Sequence, residues 1–185
     1  MTRFGTIRVA GLIAVVVMAA VNLQAQAVSS GAQTIALNAT LSEAITLNVS
    51  ANAVNFNLTA GSANNPGSIA ITATTTWTLK PNRGNVSLYA FFSNSASALN
   101  DGAGDNIPSA DFQISDNGGA FAALTNTVPF GGANAGLQVA NWKVVGNNKQ
   151  GTRNDTLNFN INLSTIPNLP AGVYTGTLTL QVQAI

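Results

Sequence analysis

The sequence predicts an all-β protein, an antiparallel Ig-like β-sandwich of about seven to nine strands, and three observations carry that prediction. Apolar residues recur at every second position from residue 33 onward, the period of a half-buried strand and not of a helix. The runs are short and bounded by clusters of Gly, Asn, Pro and Ser, as strands joined by turns are. Beyond the N-terminal segment no stretch repeats apolar residues convincingly at helical spacing. A sandwich or a barrel is the architecture that remains.

The elements follow in order. Arg3 and Arg8 precede an apolar stretch over residues 9–21 and a small-residue site at Ala25-Gln26-Ala27, the layout of a secretory signal peptide. The stretch is too short to span a bilayer and has no basic flank on its far side, so it reads as cleaved and not as an anchor. The expectation is a signal peptide over residues 1–27 and a single sandwich domain over residues 28–185. Such a protein is secreted, periplasmic or held at the cell surface, and its export signal is its one dealing with a membrane. A chain of that length buries roughly 70% of its unfolded surface. It needs no disulfide, and it contains no Cys.

Strand-like alternation begins with Ile35, Leu37, Ala39 and Leu41, then Ile45, Leu47 and Val49, then Val54, Phe56 and Leu58. A turn over residues 61–67 leads to Ile69, Ile71, Ala73, Thr75, Trp77 and Leu79. After a second turn at 80–84 come Val86, Leu88, Ala90 and Phe92. Phe112 and Ile114 enter Ser115-Asp116-Asn117-Gly118-Gly119, whose Asn-Gly step suits the positive φ angles of a tight hairpin, with Phe121 on the return arm. Residues 137–145 form a strand whose apolar face switches near Asn141 and Trp142, as a bulge would produce. Leu157, Phe159, Ile161 and Leu163 alternate with Asn158, Asn160 and Asn162, and residues 174–185 close the chain as a strand. Trp77, Leu79, Leu88, Phe92, Phe159, Ile161, Leu178 and Leu180 are the expected inter-sheet core.

An outer-membrane barrel would also be exported, free of Cys and closed by its last strand. Aromatics total only 6%, several runs are short, and Ile185 falls on the Gln and Thr face of the last strand. A lipid-facing band needs aromatic girdles and strands of about ten residues. The sandwich is the better account.

Charge narrows the function classes. Only 7% of residues are Asp, Glu, Lys or Arg and the formal net charge is +1, against about 25% charged residues in ordinary soluble domains. Losing Arg3 and Arg8 with the signal puts acidic residues in slight excess. A nucleic-acid partner requires a basic patch, and Lys80, Arg83, Lys143, Lys149 and Arg153 are few and scattered. A neutral surface of amides and hydroxyls is poorly defended against self-association.

The chain has no His and no Cys, which removes the usual triads, thiol nucleophiles and zinc sites. A glycosidase-like carboxylate pair would have to come from Glu43, Asp101, Asp105, Asp111, Asp116 and Asp155. Nothing fixes two of them at the spacing that mechanism needs, so no catalytic residue, no cofactor and no enzyme activity are expected. Asp101 and Asp105, in Asn100-Asp101-Gly102-Ala103-Gly104-Asp105-Asn106, are the candidate Ca²⁺ ligands. The spacing matches no EF-hand loop, and a plain loop between strands is the simpler reading. Trp77 is in phase with Ile69 and Ile71 and belongs to the core. Trp142, among polar neighbours and before the polar residues 147–154, is the candidate exposed aromatic for stacking on a sugar. Tyr89 and Phe91 alternate out of phase with Val86, Leu88 and Ala90. They form a surface patch, or else both faces of a central strand are covered.

The closing stretch Leu-Pro-Ala-Gly-Val-Tyr, residues 169–174, followed by alternating Thr resembles the end of spore-coat-U-like and pilin-like subunits. Trp77-Thr78-Leu79 is similar to the Trp-x-Leu motif of certain bacterial cell-surface domains, with Leu178-Thr179-Leu180 where their second motif stands. The resemblance covers about a quarter of the chain and implies an exported structural or adhesive subunit, of fimbrial type, whose partner is another copy or another surface subunit. The Cys pair common in pilins is missing. A polysaccharide-binding module contacting its ligand through Trp142 and Tyr89 is the alternative. Strand patterns at both ends of the mature chain raise a further expectation, that residues 33–41 either pair within their own sheet or add to the edge of a neighbouring subunit.

Overall fold

The computed structural model describes residues 30–146 and 149–185; the signal peptide expected at 1–27 lies outside them. The chain divides into two units after Ala39. In the first, residues 30–39 form no strand, and Ile35 and Leu37 are 84% and 90% exposed. The strand expected at 33–41 is therefore absent, and regular structure starts three residues later.

The second unit, Thr40–Ile185, is all-β and antiparallel. Its strands are β1 (Ala44–Val49), β2 (Asn65–Pro66), β3 (Ile71–Thr78), β4 (Asn85–Phe91), β5 (Leu99–Asn100), β6 (Asn106–Ile107), β7 (Phe112–Asp116), β8 (Ala122–Ala123), β9 (Gly136–Lys143), β10 (Gln150–Ile161) and β11 (Thr179–Ala184). One sheet runs β1-β3-β10-β7-β8, with β2 also on β10; the other runs β11-β4-β9; β5 and β6 make a separate ribbon. The two larger sheets face each other over a core of Ile71, Leu88, Phe92, Phe112, Ile114, Leu157, Phe159 and Ile161. A smaller cluster of Trp77, Leu79, Val86 and Val144 fills one end.

Alternation explains why these residues pair as they do. On β3 the side chains of Ile71, Ala73, Thr75 and Trp77 are buried in turn, because a pleated strand sends every second side chain to one face. Trp77 needs room on the neighbouring strand, and its register partner on β10 is Gly151. A Cβ there would stand 2.6 Å from Cζ2 of the indole. The Asn117-Gly118 turn forms as expected, with φ angles of 50° and 75° and the Gly119 N–H donating to Asp116 O at 2.8 Å. Its return arm is shorter than expected, and Phe121 is exposed before β8 begins. The bulge in β9 falls at Val139, opposite Leu88 and Tyr89, two to three residues before the expected switch.

Several strand expectations fail for one reason. Residues 54–58 make a single bridge, Phe56 to Gly67; residues 174–178 make one, Thr175 to Asn100. Both segments alternate correctly but have no partner strand beside them along their length, and alternation gives no information about partners. Of the expected core, Trp77, Leu79, Leu88, Phe92, Phe159 and Ile161 are buried, whereas Leu178 and Leu180 are only half-buried against it. Asn160, on the face that reads as solvent, is 4% exposed. Its side-chain oxygen accepts the Asn65 N–H at 2.8 Å and its amide donates to Gln113 Oε1 at 2.8 Å, so β2 covers that face.

Candidate functional site

A mostly apolar groove of about 1210 Å³ opens along one flank. One wall is β1, through Leu47 and Val49, continued by residues 51–58; the other is the segment 169–178 running into β11 at Leu180. Core side chains, Phe92, Phe112, Phe159 and Ile161 among them, form the floor. Interiors normally pack at the density of organic crystals, so a trench of this size opening onto the core marks a flank the fold leaves unfinished. Its geometry follows from the topology. β1 and β11 are each the outermost strand of their sheet on this side, each pairs with one neighbour only, and each leaves one row of main-chain groups unpaired within its sheet.

At one end the flank is tied. Glu43, just before β1, accepts hydrogen bonds from the Lys80 N–H at 2.9 Å and from Arg83 Nε and Nη2 at 3.0 and 3.2 Å. The guanidinium hydrogen bond, then the Lys80 N–H, lower the Glu43 pKa to about 2. This pins the start of β1 to the turn between β3 and β4. A small cleft of about 280 Å³ remains beside it, lined by Ile45, Leu79, Val182 and Phe130.

The residues singled out from sequence sit elsewhere. Asp101 Oδ1 accepts the N–H groups of Ala103, Gly104 and Asp105 at 2.8, 3.1 and 3.0 Å. These hydrogen bonds, Ala103's foremost, hold its carboxyl below the ordinary range. The carboxylate thus organises the tight turn between β5 and β6, where Gly102 and Gly104 have φ of 78° and 124°. Among the described residues no three Asp, Glu, His or Cys side chains gather as a metal-ligand set.

Trp142 is expected to be exposed, and Tyr89 to lie either in a surface patch or on a strand covered on both faces; the fold buries Tyr89 and half-buries Trp142. Tyr89 is 6% exposed and meets Phe130 edge-on at 5.8 Å, because the loop carrying Phe130 crosses the outer face of β4. Both faces of this central strand are covered. Trp142 is half-buried between the sheets, 6.1 Å from Trp77 and with the Arg153 guanidinium 4.6 Å from its ring. The polar stretch expected to form a loop beside it is strand from Gln150 onward. The walls of the groove were missed as a site because their alternation matches that of true strands. Leu169-Pro170-Ala171-Gly172 was the signal that the chain there is not a regular strand.

Among the described residues no helix is long and apolar enough to cross a membrane. No protein-family model matches the chain, and no curated protein is similar enough to count as a relative.

Proposed function

We propose that this chain is an exported, non-enzymatic structural subunit of the cell surface that assembles by strand pairing, its groove receiving an extended apolar segment of another copy. The groove between β1 and β11 carries the reading. An occupant there would cover Leu47, Val49, Leu178 and Leu180 and give free edges a partner, the two gains that make strand addition favourable. Every buried apolar Å² is worth about 25 cal/mol.

The chain itself contains a segment of the right kind. Residues 33–41 carry Ile35, Leu37, Ala39 and Leu41 on alternate positions, and the three large side chains are 84%, 90% and 75% exposed. Extended, nine residues reach about 30 Å, and no charge interrupts them. The near-neutral surface favours the same outcome, since few Lys or Glu side chains guard the edges. A polysaccharide-binding role would want an accessible aromatic platform, and neither Tyr89 nor Trp142 supplies one.

Deleting residues 28–41 from the mature protein tests the proposal, with mass read by light scattering and fold by circular dichroism. A multimer that becomes a folded monomer is the expected result. A full-length protein that stays monomeric at high concentration would overturn it, and an unfolded deletion product would assign the segment to its own core.

A further inference from the structure

We propose that Asp116, beside the buried carboxylate of Asp155 at one end of the inter-sheet face, is a proton-binding site that keeps its proton at pH values where exposed carboxyl groups are ionised. The site lies between the sheets and stands independently of the assembly reading.

Four buried side-chain atoms lack a hydrogen-bond partner among the described residues: Thr75 Oγ1, Asp116 Oδ1, Trp142 Nε1 and Asp155 Oδ2. All four belong to residues grouped round Arg153. Thr75 is its register partner on β3, so both side chains share the inner face. Trp142 lies against its guanidinium, and Asp155, two residues along β10, accepts from its Nε at 2.8 Å. Asp116, at the end of β7, is the register partner of Leu157 and so a diagonal neighbour of Asp155 on the same face of the sheet, and the adjacent Asn117 donates its Nδ2 to Asp155.

Charge does not balance here. Asp155 is fully buried, and its Oδ1 is used by Arg153 and by Asn117 Nδ2 at 3.0 Å, which leaves Oδ2 bare. Two carboxylates face one guanidinium; Thr75 from β3 and Trp142 from β9 bring no charge. A buried surplus charge is costly, and a carboxyl group removes it by taking up a proton. Protonation also converts an acceptor-only group into a donor. In agreement, burial first and the Asp155 charge second raise the Asp116 pKa above its ordinary value, against a smaller opposing effect of Arg153.

The linkage has a definite sign. With a folded pKa above the unfolded one, the folded state binds more protons, so stability falls as pH rises from the ordinary Asp value through the raised one. The experiment is a ¹³C NMR titration of aspartate-labelled mature protein, paired with thermal midpoints across pH. Asp116 should titrate above the exposed carboxyl groups, and Asp155→Asn should bring it back toward them. Asp116→Asn should abolish the fall in midpoint through that window. Titration of Asp116 together with the exposed carboxyls would overturn the proposal, and the wild-type protein alone can show it. A raised Asp116 titration unmoved by Asp155→Asn would overturn the pairing and leave burial as the sole cause.

Discussion

The two flanks of the sandwich are built from the same alternating pattern and end in opposite states. On the flank of β3, β10, β4 and β9 the large inward apolar side chains are covered: Trp77 meets Trp142 and the glycine opposite it, and Leu88 and Leu157 are fully buried. On the flank of β1 and β11 the inward residues Leu47, Leu178 and Leu180 stay half-exposed around an open trench. The difference is in neighbours, not in composition. β3, β10 and β4 each lie between two strands of their sheets, whereas β1 and β11 are edge strands that border the trench together.

Breaking the closed flank should have the largest effect. Trp77→Ala removes an indole that is 8% exposed and should cost about 3–5 kcal/mol, seen as a large drop in thermal midpoint. Gly151→Ala comes next: its Cβ would enter the space of the Trp77 ring, and overpacking of this kind costs about 1–3 kcal/mol. A midpoint unchanged by either would mean that this end is not packed as described. Leu180→Ala on the open flank should cost the monomer less than either, because its side chain is only half-buried, while weakening assembly. Equal losses at Leu180 and Trp77 would erase the contrast between flanks. The smallest effect is expected from Glu43→Gln at neutral pH. Glu43 has a folded pKa of about 2 against an ordinary 4.5, so its contribution is present above 4.5 and is lost as pH falls toward 2. The variant should flatten part of the acid-unfolding curve in that range, with a sign opposite to that of Asp116.

Much of the closed flank was legible in the sequence. Ile71, Trp77, Leu88, Phe159 and Ile161 alternate in phase, and the Asn117-Gly118 turn needs the positive φ angles it adopts. In-phase positions also contained the interior charge: Arg153 and Asp155 lie on the same face of β10 as Leu157 and Phe159, a placement visible two residues at a time. The open flank was not legible, because Val54, Phe56 and Leu58 alternate as regularly as Ile45, Leu47 and Val49, and which of them gains a strand partner depends on long-range topology. The exposure expected of Trp142 failed likewise, since its polar sequence neighbours say nothing of Trp77 and Arg153 across the gap.

The central claim, that the trench between β1 and β11 is filled by residues 33–41 of another copy, is tested most directly by hydrogen exchange on the mature protein at low and high concentration. Protection should appear together in residues 33–41 and along β1 or β11 as concentration rises, and it should vanish from the groove strands when residues 28–41 are deleted. Free exchange of residues 33–41 at every concentration, with the groove strands equally protected in both proteins, would contradict it.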